Sequence, residues 1–390
     1  MPSVVPVPLP GPDTVLLEPP GATEAQLTAV GVASAAAPSA GLTDVQRVLV
    51  EALFEAMTGH RVDVGAEPIG ARAFAEGLAR RDLQFRSRGV QVMLLVALVL
   101  RPLPAEVVER ISQYARHLGV EDGLIEVARS FAAGALGLAA VDFERNGYTA
   151  TWRPEDATKL HTSSELSSAW ATAVDEPELA ARWSALGDLS SGTLGRGVWE
   201  MYRARGFVFP GRPGSAPPLL AQHDWVHVLA DYGTTVESEL EVFGFIARAN
   251  DDMRAFSLLA MVISLFETGY LARGAGLFEA DPGHLSAGEG MAVRLSDAMR
   301  RGALCSDIVT GNDSVDFLRT DWFALAAEPV DKVRERFRIV PKSERAISAG
   351  SVGPWEPGGI SPFQLSAGAV AAESAGYAYD SFGASTEDPA

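Results

Sequence analysis

Along the interior of this chain apolar residues recur every three or four positions, and the strict alternation that marks a half-buried strand is nearly absent. That periodicity restricts the fold to packed helices, so the expected class is all-α. Val45, Leu49, Leu53 and Met57 share one helical face, followed by Ala71, Phe74 and Leu78 and then by Val107, Ile111 and Tyr114. Residues 90–100 and 256–266 are apolar runs well short of the roughly 20 residues a membrane span requires, and both read as buried core helices. Leu118-Gly119-Val120 has the look of a helix end with a glycine C-cap.

At 390 residues, with 47% apolar and 21% charged side chains, the chain is long enough for two or three domains with real cores. Residues 1–41 are rich in Pro, Ala, Gly, Ser and Val and carry almost no charge pattern, the composition of a disordered arm. A first helical domain is expected over 42–147, a polar linker over 148–182, a second helical domain over 183–342 and a low-complexity tail over 343–390. Both terminal segments are expected to be dispensable for folding. The formal charge of −18 would repel a phosphate backbone, so no nucleic-acid partner is expected. A single cysteine, Cys305, excludes an intrachain disulfide, and the proline-broken start does not read as a secretory signal. A cytoplasmic setting follows.

The residues that carry chemistry are His223-Asp224-Trp225-Val226-His227 and, after eleven more residues, Glu239. On a helix the two histidines stand one turn apart, with Asp224 about 100° from the first and about 60° from the second around the axis. All three can face one pocket. Gly233 then interrupts the helix, and Thr234 with Glu237 has capping-box spacing for the start of another, which puts Glu239 on a second helix facing the first. Two imidazoles and two carboxylates suit a divalent ion, zinc first, with iron or manganese as alternatives, and are too nitrogen-rich for calcium or magnesium. The bland alternative is a pair of histidines on an ordinary surface helix, since the His-Glu-x-x-His glutamate of zinc proteases is absent. His60 and His117 read as packing or surface residues.

His-Asp-x-x-His-x(11)-Glu resembles the signature of the coenzyme Q (ubiquinone) biosynthesis protein 4 family. Gly192-Thr193-Leu194-Gly195-Arg196 with Tyr202 upstream, and Trp322, Pro329, Arg334 and Ile339 downstream, resemble that family's flanking pattern, so that the likeness spans roughly 183–342. The block over 42–147 resembles a TerB-like helical domain, although Thr58-Gly59-His60 stands where that family carries an acidic metal-binding turn, which leaves a fold and a docking surface rather than a second metal site.

The first resemblance implies a role in ubiquinone or related prenyl-quinone biosynthesis. The implied step is metal-dependent: a prenylated hydroxybenzoate-like ring loses its carboxylate and is hydroxylated at that carbon. His223, Asp224, His227 and Glu239 would be both metal ligands and catalytic residues. A prenylated quinone precursor or other isoprenoid lipid is the expected ligand, with residues 256–266 as a candidate tunnel lining. A homodimer, a complex of biosynthetic enzymes and a peripheral position at the membrane are the further associations it implies. The alternative within the same resemblance is a non-catalytic lipid-binding scaffold. The family's basic Arg-Tyr-Arg-Glu run before the signature is replaced here by Pro217-Pro218-Leu219-Leu220-Ala221-Gln222, which leaves Arg203, Arg205 or Arg212 to meet an acidic headgroup.

Overall fold

The computed structural model describes residues 16, 19–100, 103–120, 175–213, 215, 221–250, 259, 263 and 289–383. Among these residues the regular structure is helical, with isolated bridges but no strand. The helices are α1 (Ala22–Ala36), α2 (Asp44–Thr58), α3 (Ala71–Gly77), α4 (Leu83–Leu98), α5 (Ala105–Leu118), α6 (Pro177–Ala185) and α7 (Leu194–Arg205). They continue with α8 (Gln222–Ala230), α9 (Val236–Ala249), α10 (Glu289–Ala303), α11 (Trp322–Leu325), α12 (Val330–Arg336), α13 (Glu344–Ser348) and α14 (Pro362–Ala375). No described helix is long and apolar enough to cross a membrane.

Local chemistry explains the boundaries. Thr43 and Gln46 close a capping box at the start of α2, and Gly59 ends that helix in the left-handed region at φ 72°. Gly119 ends α5 the same way at φ 69°, as its sequence implied. The polar stretch expected over 148–182 lies largely outside the described residues, although α6 begins within it.

Two apolar clusters meet on α9. Val236, Leu240, Phe243 and Ala247 join the core of α1–α5, together with Leu259, Ile263, Met291, Leu295 and Met299. Val242, Phe245, Ile246 and Ala249 join a second cluster with α6, α7, α8, Phe317, Trp322 and Phe337. Nearly every residue of α9 is buried, Ser238, Glu239 and Glu241 among them, and α9 is the wall that both clusters share. α10 packs along it and also contacts α2, so the first bundle and the later helices are continuous through these two elements. Leu259 and Ile263 are fully buried core residues; the rest of 256–266, and with it the expected tunnel lining, lies outside the described residues.

Both terminal expectations need correction. Residues 22–36 of the expected arm form α1, which packs on α4, α2 and α5 with Ala25, Ala29, Val32 and Ala36 buried. Its small side chains are the means of close packing rather than a sign of flexibility. A Cβ on Gly31 would stand 2.2 Å from the Phe74 ring. Glu24 is tied to the buried Arg81, whose Nε donates to its carboxylate at 2.7 Å. The expected tail contains α13 and α14, and α14 packs against α7 behind a capping box of Ser361 and Gln364 with proline in its first turn. Ile360 and Gln364 are fully buried.

Candidate metal centre

α8 carries His223, Asp224 and His227, and α9 carries Glu239; all four side chains are buried, at most 1% exposed. The turn between the helices is built from residues that the spacing assigned differently. Thr235, not Thr234, is the N-cap of α9, its hydroxyl accepting from Ser238 N at 3.4 Å. Thr234 is buried and bonds to Arg205 and Gln364 instead. The helix nevertheless starts where Glu239 can turn back toward α8, with Glu239 N donating to Thr235 O at 2.8 Å.

The ligand-type atoms of His223, Asp224 and His227 lie within 4.8 Å of one another. His223 Nε2 stands 3.6 Å from Asp224 Oδ1 and 3.5 Å from Glu239 Oε2, and His227 Nε2 stands 3.4 Å from Glu239 Oε1. These separations are long for a strong hydrogen bond. They match the edge of a tetrahedral shell, in which bonds of about 2.1 Å place neighbouring ligand atoms roughly 3.4 Å apart. Neither His227 Nε2 nor Glu239 Oε2 makes a hydrogen bond among the described residues, although both are buried. Buried polar atoms are normally satisfied, so atoms such as these mark a place where a cation fits.

Outer contacts fix the orientation of each group. His227 Nδ1 faces the Gly233 carbonyl at 2.7 Å. A carbonyl only accepts, so Nδ1 carries the hydrogen and, in the neutral ring, Nε2 presents its lone pair inward. The Tyr202 hydroxyl donates to Asp224 Oδ2, leaving Oδ1 on the side of His223. His223 is stacked on Phe243 with ring centroids 5.0 Å apart. Burial alone would raise the pKa of Glu239, but the electrostatic effect of the His227 and His223 imidazoles beside it outweighs burial and holds the carboxyl below its usual range. The group is therefore an ionised, ligand-type carboxylate.

The far end of α8 is held by three cations. Arg334 donates through Nε to Leu229 O at 2.8 Å and through Nη2 to Val228 O at 3.3 Å. Arg301 Nη2 donates to Ala230 O at 2.8 Å, and Lys342 Nζ donates to Asp231 O at 2.7 Å while pairing with the Asp231 carboxylate at 3.0 Å. Together they satisfy the carbonyls that a helix leaves open at its C-terminus and complement its dipole. Asp231 itself closes the helix in the left-handed region at φ 63°. Arg301 and Lys342 escape sequence reasoning, because each is remote from α8 in the chain and lies in no motif.

The flanks quoted beside the signature also meet. Leu194 N donates to Glu328 O at 2.9 Å, Gly195 N to Ala326 O at 2.8 Å and Val330 N to Gly192 O at 3.0 Å. A Cβ on Gly195 would stand 2.8 Å from that of Ala326, so glycine is what lets the two segments touch. Trp322 stacks on Trp225 within the signature helix, ring centroids 6.0 Å apart. Of the three arginines considered for an acidic headgroup, Arg205 is buried and committed to Thr234 and the carbonyls of Pro354 and Gly359. Arg203 lies over the rings of Trp199 and Tyr377, and Arg212 is exposed. His60 is half-buried and His117 exposed, and neither belongs to the cluster. No family model matches the chain, and neither a curated protein nor a solved structure similar to it was found.

Proposed function

We propose that the chain is a metal-dependent protein of ubiquinone or related prenyl-quinone biosynthesis, with His223, Asp224, His227 and Glu239 as the ligands of a divalent ion. The observation that carries this reading is the burial of two imidazoles and two carboxylates from consecutive helices side by side, with His223–Asp224, His223–Glu239 and His227–Glu239 at 3.4–3.6 Å. The donor set favours zinc, then iron or manganese. When bound, such an ion would polarise a ring carboxylate or bring oxygen to it. The chain's own residues do the rest: His227 is held by the Gly233 carbonyl, and Asp224 is held by Tyr202, whose hydroxyl proton lies beside the site.

The substrate class is a prenylated hydroxybenzoate-like ring, whose carboxyl leaves as carbon dioxide and is replaced by hydroxyl. That exchange is an oxidation, so it needs dioxygen or another oxidant. Zinc, which has no redox chemistry, would act only by charge. One observation favours the scaffold reading instead: four buried protein donors are the number that closes a structural zinc site, whereas a catalytic zinc keeps a position open. The protein would then hold a prenylated intermediate for partner enzymes, as a cytoplasmic protein lying against the membrane.

The test is incubation of metal-loaded and metal-stripped protein with a prenylated hydroxybenzoate under air, followed by mass spectrometry of the lipid. Loss of the carboxyl in the loaded sample alone is the expected outcome. A lipid that is bound and recovered unchanged by both samples refutes the enzymatic reading in favour of the scaffold.

A further inference from the structure

The chain beyond Lys342 reaches back to the turn that joins α8 to α9. Gly233 N donates to Val352 O and Thr234 N to Gly359 O, each at 2.9 Å. At the start of α14, Gln364 Nε2 donates to Thr234 O at 2.9 Å, and the Thr234 hydroxyl donates to Gln364 Oε1 at 2.8 Å. Arg205, from α7, ties both sides together: Nε donates to Thr234 Oγ1 at 2.5 Å, and Nη2 donates to Pro354 O at 2.9 Å and Gly359 O at 3.1 Å. Thr234, Arg205 and Gln364 are all buried. The backbones touch, since a Cβ on Gly233 would stand 2.7 Å from Gly359 Cα.

One peptide plane links these contacts to the site. The Gly233 carbonyl that receives His227 Nδ1 and the Thr234 N–H held by Gly359 belong to the same peptide unit. A peptide unit is planar, so fixing the direction of its N–H fixes the direction of its C=O. The C-terminal segment thus sets the orientation of the acceptor on which the His227 ring is hung. Outer partners of this kind orient ligating histidines and tune metal affinity.

We propose that residues 352–364 are a positioning clamp for the metal centre, acting through the Gly233–Thr234 peptide on His227. The inference rests on the metal reading above and assigns a role to a segment outside the signature region. Thr234 and Gln364 are positioning residues, since neither is among the four proposed ligands.

Cobalt(II) is the probe, because its visible spectrum reports ligand geometry in folded protein. Affinity is measured by competition with a chromogenic chelator on the full chain, with circular dichroism verifying the fold. Thr234→Val keeps the shape and removes the hydroxyl; it should lower cobalt affinity by roughly 10- to 100-fold and shift the visible bands. Thr234→Ser should restore both. Gln364→Met should behave as Thr234→Val does, and it carries the test if the valine variant does not fold. Phe74→Leu, in the first bundle, lowers stability without touching the clamp and should keep wild-type affinity and spectrum. Cobalt binding by the two clamp variants indistinguishable from wild type overturns the clamp and leaves the metal site standing. An equal loss in Phe74→Leu overturns it as well, because the effect would then be general destabilisation. Wild-type protein that takes up no cobalt overturns the metal reading and the clamp together.

Discussion

Replacing Gly31 with alanine separates a packed α1 from a loose arm by the sign of its effect. In a solvent-exposed helix interior, glycine to alanine stabilises by about 0.5–1 kcal/mol, because alanine loses less backbone entropy on folding. In α1 the new Cβ would stand 2.2 Å from Phe74 Cε2, 2.3 Å from Cδ2 and 2.7 Å from Cζ. Three contacts under 3 Å cannot be met by a small torsion of the ring, since Phe74 is fully buried and its ring packs at 5.8 Å from that of Tyr114. Overpacking of this kind costs typically 1–3 kcal/mol, which exceeds the propensity gain. Gly31→Ala should therefore lower the urea midpoint of the far-UV circular dichroism transition. Phe74→Leu alone should also lower it, but the double variant should be more stable than the sum of the two losses, because the smaller side chain makes room for the methyl. A midpoint raised by Gly31→Ala, or strict additivity in the double variant, would refute the packing of α1 against α3.

Asp307 and Cys305 give two further tests. Arg336 donates to Asp307 through Nε at 3.1 Å and Nη2 at 2.9 Å; this hydrogen bonding outweighs partial burial and, with the Val309 and Thr310 amides, lowers the carboxyl to about 2. A depressed carboxyl stabilises above its unfolded pKa, so this contribution is full above about pH 4 and fades as pH falls toward 2. Asp307→Asn should thus be less stable than wild type at pH 6, with the gap in urea midpoints narrowing by pH 3; a gap unchanged over that range contradicts the pairing. Burial pushes the Cys305 thiol up to about 12, against a smaller opposing effect of Arg301, and the thiol donates to Arg301 O at 3.4 Å. A chromogenic disulfide reagent at pH 8 should label it far more slowly in native than in urea-unfolded protein, and equal rates would show that it is accessible.

Much of the site was legible because its information is local. His223, Asp224 and His227 share a face through helical geometry alone, and Gly233 marks the break that returns Glu239 to them. The glycine end of α5 was equally plain. What escaped is what lacks a local period. α1 is mostly alanine and small residues, so it has almost no polar face to set against an apolar one. α14 is similar, although its Ser361-Pro362 start with Gln364 and its Gly376 end are recognisable helix punctuation. The choice of Thr235 over Thr234 as cap was decided by tertiary structure, since Thr234 is claimed by Arg205 and by Gln364, 130 residues further on. Arg301, 71 residues from the Ala230 carbonyl it caps, illustrates the same limit.

Metal content per chain after gel filtration shows whether α8 and α9 together hold an ion. Wild-type protein should carry stoichiometric zinc, iron or manganese. His227→Ala and Glu239→Ala, which remove donors from different helices, should each retain only a small fraction of it while circular dichroism shows the helices intact. His60→Ala, outside the cluster, should keep full occupancy. Stoichiometric metal in both site variants, or none in wild-type protein supplied with all three ions, would mean that these four residues hold no ion.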